Sequence, residues 1–111
     1  MIIQKKDFKR LGNYYTIYIF EVRYVGEDIS HVKYFFKKED GTVGEFVMPV
    51  EQVARCIYLN QWQAWAGLFD KNNQMFDNAA KVVPGVKNGK IYLTTISDDY
   101  KSNNLENLPR F

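Results

Sequence analysis

The chain has 111 residues, 46% of them hydrophobic and 25% charged, the composition of one ordinary globular domain with a single core. Fifteen Lys+Arg against thirteen Asp+Glu leave a net charge of +2, without the basic excess of most nucleic-acid modules. Cys56 is the only cysteine and His31 the only histidine, which excludes an internal disulfide and a cysteine-based metal centre. No stretch approaches the roughly 20 apolar residues that span a bilayer. The first residues, "MIIQKKDFKRLG", also lack the apolar run of about 7–15 residues that a signal peptide carries. The expectation is a cytoplasmic protein away from the membrane.

Residues 1–12 form a basic lead-in ending at Gly12. Its Ile3, Phe8 and Leu11 could dock as a short helix or as an edge strand. "NYYTIYIFEVRYV", residues 13–25, is rich in β-branched and aromatic residues and predicts a strand. Simple alternation places Tyr14, Tyr18, Phe20, Val22 and Tyr24 on one face and Ile17, Ile19, Glu21 and Arg23 on the other. "GED" turns the chain into "ISHVKYFFKK", where Val32, Tyr34 and Phe36 alternate with His31, Lys33, Phe35 and Lys37. Asp40-Gly41 is the dipeptide that a two-residue hairpin turn favours, because both residues tolerate positive φ. "VGEFVM" then completes a three-stranded meander.

Pro49 suits the first position of a helix, where its missing N–H is not needed. Val50, Val53, Ala54 and Ile57 follow at helical spacing, with Glu51, Gln52 and Arg55 facing away and Asn60 as the stop. Residues 62–69, "WQAWAGLF", fit either a helix or a strand. Gly67 and the aromatics favour the strand, which would split Trp62 from Trp65. "DKNNQ" is a turn cluster, and Asn88-Gly89 joins two more strands, 79–86 and 90–96. In that register Val82, Pro84 and Val86 share a side with Ile91 and Leu93, and Pro84 puts its strand at a sheet edge.

These elements predict an α+β fold laid out βββ-α-βββ. It is a small antiparallel sheet or half-barrel with one helix packed on it and a C-terminal clasp over residues 97–111. Nothing divides the chain, so residues 1–111 read as a single small domain.

Few residues suggest chemistry. His31 has no orienting carboxylate or nucleophile implied by spacing and reads as a surface histidine. Cys56 sits in the C-terminal half of its helix, away from the N-terminus that would activate a thiol. Asp98, Asp99 and Glu106 lack the alternating carboxylates of a cation loop and read as turn or capping residues. "PGVKNGK" lacks the Walker spacing and a following helix. Neither a metal nor a cofactor is expected, and the protein is not expected to be an enzyme.

Two binding surfaces remain. Lys33, Phe35 and Lys37, with Arg23 on the neighbouring strand, interleave cations with a ring, as single-strand nucleic-acid binders do. Glu21, Glu39, Asp40 and Glu45 lie close and oppose phosphate, and Lys stems also cover ordinary wet sheet faces. Trp62 and Trp65 read either as core or as anchors for a protein partner, since tryptophan is enriched at interface hot spots.

The ending "IYLTTISDDYKSNNLENLPRF" resembles the close of domain-of-unknown-function family 3892, short proteins of bacteria and their mobile elements. Tyr92 and Thr95 match its "Y-x-x-T" strand. Asn103, Asn104, Leu105, Asn107, Leu108 and Pro109 match its "S-N-N-L-x-N-L-P" ending. The resemblance implies a small self-contained domain of bacterial or phage origin and no activity, cofactor or catalytic residue. Physically the ending reads as a clasp: the asparagines hold turns, Leu105 and Leu108 point inward at i, i+3, and Pro109 stops the turn. The functional expectation is a non-enzymatic binding module acting on a protein partner, possible sites Trp62 and Trp65. The alternative is a single-stranded nucleic-acid-binding domain using Arg23, Lys33, Phe35 and Lys37.

Overall fold

A computed structural model describes residues 3–5, 15–38, 40–59, 61–96 and 105–111. Among these residues, seven strands form one open sheet: β1 (Ile3–Gln4), β2 (Tyr15–Val25), β3 (Asp28–Lys37), β4 (Val43–Pro49), β5 (Trp62–Asp70), β6 (Met75–Lys87) and β7 (Lys90–Thr95). Their order is β1-β6-β5-β2-β3-β4, with β7 also on β6. The helix α1 (Val50–Tyr58) joins β4 to β5, and Leu105–Asn107 form a 3-10 turn. The fold is α+β and mostly sheet. The purely antiparallel βββ-α-βββ expectation needs two corrections: β1 adds a strand before the meander, and β2 pairs with β5 in parallel, Tyr15 opposite Trp62 through Ile19 opposite Ala66. The long crossover through β3, β4 and α1 makes that parallel pair possible.

Hairpin chemistry sets the antiparallel registers. Asn88 and Gly89 take φ of 52° and 76°, the two-residue turn that Asn-Gly favours. The turn before β4 is longer: Gly41, at φ 90°, donates its N–H to Lys38 O at 3.0 Å, and Lys38 N–H donates to Thr42 O at 2.7 Å. The Asp40 carboxylate fastens it by accepting from the Thr42 N–H at 2.9 Å and the Thr42 hydroxyl at 2.6 Å. "DKNNQ" is a turn as well, with the Asp70 carboxylate accepting from the Asn72 and Asn73 N–H groups.

Simple alternation fails in β2. Pairing shifts by one residue between Ile19 and Glu21, so Phe20 is an extra residue and the strand reverses its faces. Ile17, Ile19, Val22 and Tyr24 therefore share the face that carries α1, while Tyr18 and Phe20 join Phe35, Phe76 and Ala79 behind it. The helix buries Val50, Val53 and Ala54 against the first face, and Ile57 packs beside them. A fully buried Val, Leu or Ile contributes about 1.5–3 kcal/mol. Pro49 is the N-cap, not the first helical residue, because its ψ of 143° is still extended.

Residues 62–69 are strand, and β6 starts four residues ahead of the expected 79. Pro84 is in an interior strand, contrary to the edge assignment, but β5 stops pairing at Val82 and only β7 accompanies β6 beyond it. The proline thus still has one open side. The sheet curls until Lys90 Nζ comes within 3.8 Å of Asp28 Oδ2. Ile3 lies in β1, an edge strand on β6. Phe8, Leu11, Asn60, Asp98, Asp99, Asn103 and Asn104 lie outside the described residues.

Within the clasp, Leu105 and Leu108 are part of the core. Leu105 and Leu108 are each 4% exposed and pack with Val22, Val53 and Leu93. The chain then runs beside β2: Val22 N–H donates to Pro109 O at 2.9 Å, and Phe111 N–H donates to Val22 O at 3.0 Å. Arg110 makes a parallel bridge to Val22. The tail takes up the side of β2 that β5 leaves after Ile19.

Candidate functional site

Strand β4 is the last in the sheet order and, among the described residues, pairs with β3 alone. The turn at Lys38 and Thr42 sets its phase. An antiparallel ladder alternates bonded and non-bonded pairs, so Gly44, Phe46 and Met48 bond inward to Phe36, Tyr34 and Val32. The N–H and C=O groups of Val43, Glu45 and Val47 point outward. Pro49 falls in the same outward phase, the one place where a missing N–H costs no ladder bond. Glu45 is exposed, and Val47 and Phe46 are 47% and 37% exposed.

A row of rings runs from this edge across the helix-bearing face. Phe46 lies 6.2 Å from Phe36 and 5.9 Å from Tyr34 between ring centroids. Phe36 meets Tyr15 at 5.4 Å, and Tyr34 meets the edge of Trp62 at 5.8 Å. Gly44 makes room for the row, since a Cβ there would sit 2.8 Å from Phe46 Cε2 and 3.2 Å from Lys38 Cε. The Lys38 ammonium lies 5.8 Å from the Phe46 ring centroid. Tyr15, Phe36, Lys38 and Trp62 line an open groove of about 310 Å³. Trp62 therefore belongs to a ring-lined groove near the β4 edge, whereas Trp65, half-buried, packs behind the sheet with the phenylalanines.

The basic face is arranged differently from the sequence reading. Phe35 is 2% exposed, stacked on Phe20 at 4.2 Å and 8°, so its ring is not offered to a base. Lys33 is 3.4 Å from Glu21. Arg23 is exposed and places its guanidinium 4.6 Å from the Phe111 ring, which Lys33 approaches at 5.2 Å. Lys37 is exposed. The tail thus supplies the ring that Phe35 does not.

The thiol of Cys56 is not activated. Burial pushes the Cys56 thiol up, against the opposing pull of Arg55, the opposite of an activated nucleophile. Burial, and then the neighbouring Cys56, raise Tyr34. His31 is half-buried rather than on the surface, with Nδ1 2.9 Å from Ser30 Oγ. Glu106 is exposed. Among the described residues no group of three His, Cys, Asp or Glu could hold a metal ion, and no helix is long and apolar enough to cross a membrane.

Sequence reasoning missed Phe46, Lys38 and Phe111. For Phe46 a signal existed: a glycine two residues before an aromatic on a strand leaves space for the ring, and Pro49 marks the outward phase. Together these features describe a small α+β domain in which β4, one of the strands paired on a single side among the described residues, lies beside an aromatic groove. The family described as "Protein of unknown function (DUF3892)" matches residues 18–109, from within β2 to Pro109 in the clasp. The chain belongs to that family. Comparison with curated proteins and with solved structures gives no match.

Proposed function

We propose that this is a non-enzymatic binding module that captures a protein partner by adding an extended segment of it to the outer edge of β4. The observation that carries this is the outward phase of Val43, Glu45 and Val47 on a strand paired on one side only among the described residues. Main-chain hydrogen bonds along such an edge supply affinity, and pockets for alternate side chains supply specificity. The groove of Tyr15, Phe36, Lys38 and Trp62 lies on the same side of the sheet as the exposed Phe46 ring. We read the module as a cytoplasmic regulator carried by a bacterium or a phage. The nucleic-acid reading takes second place, because Phe35 is buried and Lys33 is paired with Glu21.

The test compares wild type with Val47→Pro, which removes one outward donor and leaves the inward ladder intact. Capture from the producing cells should yield a stoichiometric protein that Val47→Pro loses. An unchanged captured set would overturn the reading. So would a submicromolar, salt-sensitive complex with a single-stranded oligonucleotide that Lys33→Glu and Lys37→Glu abolish.

A further inference from the structure

We infer that the segment β4 receives is not a second copy of this chain but a strand of another protein carrying a basic residue opposite Glu45, flanked at alternate positions by apolar side chains. The inference rests on strand addition at β4. A strand laid on that edge meets the outward backbone of Val43, Glu45 and Val47, whose side chains all lie behind the sheet, away from α1.

Two copies could pair their β4 strands about a twofold axis. The register that uses all three outward residues sets Val43 against Val47 and Glu45 against its own symmetry mate. Like charges directly opposite one another on neighbouring strands are destabilising. Moving the axis to Phe46 relieves that clash but sets Val43 against Pro49, which has no N–H to donate. Moving it to Gly44 leaves Val47 outside the pairing. Each twofold register loses something that a foreign strand keeps.

The same carboxylate selects the foreign strand. Glu45 is exposed and makes no ion pair among the described residues, whereas Lys33 is already held by Glu21. An Arg or Lys opposite Glu45 gains an opposite-charge pair, and Val43 and Val47 favour β-branched or other apolar neighbours on either side. The recognised pattern is apolar, any, basic, any, apolar, in extended conformation.

The probe is the capped nine-residue peptide Ser-Thr-Val-Thr-Arg-Thr-Val-Thr-Ser, whose palindromic pattern is the same in either strand direction, and its twin with Glu at the centre. Both are titrated into 15N-labelled wild type, Glu45→Lys and Val47→Pro, following the backbone amides. The Arg-centred peptide should shift Val43, Glu45 and Val47 and bind wild type about fivefold more tightly than its twin. Glu45→Lys should reverse the preference, and Val47→Pro should weaken both. Equal affinities for the two peptides, or a preference that survives Glu45→Lys, overturn the charge inference and leave strand addition standing. If neither peptide shifts those amides at millimolar concentration, strand addition itself fails. Shifts of the same amides on diluting wild type alone would make the occupant a second copy and overturn the proposal.

Discussion

Two stretches of strand in this molecule face the same problem and meet it differently. Beyond Ile19, β2 loses β5 as a neighbour, and the chain's own tail closes the gap through Val22, Pro109 and Phe111. The tail is anchored there by Leu105 and Leu108, both buried. At β4 the described residues supply no such cover. What guards β4 is a charge at Glu45 and a proline at the strand end, the devices by which natural sheets discourage indiscriminate pairing. A buried anchor makes closure permanent; a charge makes it conditional on what the arriving strand carries. On the reading proposed for β4, the difference teaches that an open edge can be selective without being covered.

The largest effect expected from this comparison belongs to the anchor. Leu105→Ala and Leu108→Ala each remove buried apolar contacts and leave a void, which costs about 2–5 kcal/mol. A domain of this size has about 5–15 kcal/mol in total, so the double variant should be largely unfolded in a denaturant titration. Losses below about 0.5 kcal/mol at both positions, the range of ordinary surface changes, would mean that the tail does not close β2 from the core.

A pair of prolines sharpens the contrast between the edges. Val22 is fully buried and its N–H is bonded to Pro109 O. Val22→Pro should therefore cost about 2–4 kcal/mol from the lost bond and the imperfect fit. Val47 points its N–H outward, so Val47→Pro should cost about 1 kcal/mol or less. Equal losses in thermal or chemical melts would erase the distinction between a closed edge and an open one.

The inward pointing of Leu105 and Leu108 was legible because its signal is local: two leucines three apart, followed by a proline. The Asn88-Gly89 turn and the Val50, Val53, Ala54, Ile57 stripe were legible for the same reason. What the sequence hid depends on pairing between distant segments. The extra residue at Phe20 shows itself only against β3, and without it Val22 and Tyr24 fall on the wrong face. The parallel β2–β5 pair requires knowing that the chain returns to Tyr15 after α1. Phe35 looked like a partner for Lys33 because alternation places both on one face; that Phe20, Phe69 and Phe76 bury its ring follows from strand order alone. The basic face was thus half visible, and the Phe46 edge was passed over although Gly44 and Pro49 bracket it.

The smallest effect lies at the turn that delivers β4. Hydrogen bonds from the Thr42 hydroxyl and then the Thr42 N–H hold the Asp40 carboxylate below its ordinary value of 3.8. A carboxyl lowered in the folded state stabilises fully above its unfolded pKa, and that contribution is lost as pH falls through the lower, folded one. Because Asp40 is fully exposed, solvent screens the effect, and it should be felt in the turn more than in the whole fold. In a pH titration the Thr42 amide should report a midpoint below the ordinary aspartate value, and Asp40→Ala should abolish that transition. The difference in melting between wild type and Asp40→Ala should be constant from neutral pH down to about pH 5 and shrink below about pH 4. A midpoint at or above the ordinary value would mean that the carboxylate does not hold this turn. The phase assigned to Val43, Glu45 and Val47 would then have to stand on the ladder with β3 alone.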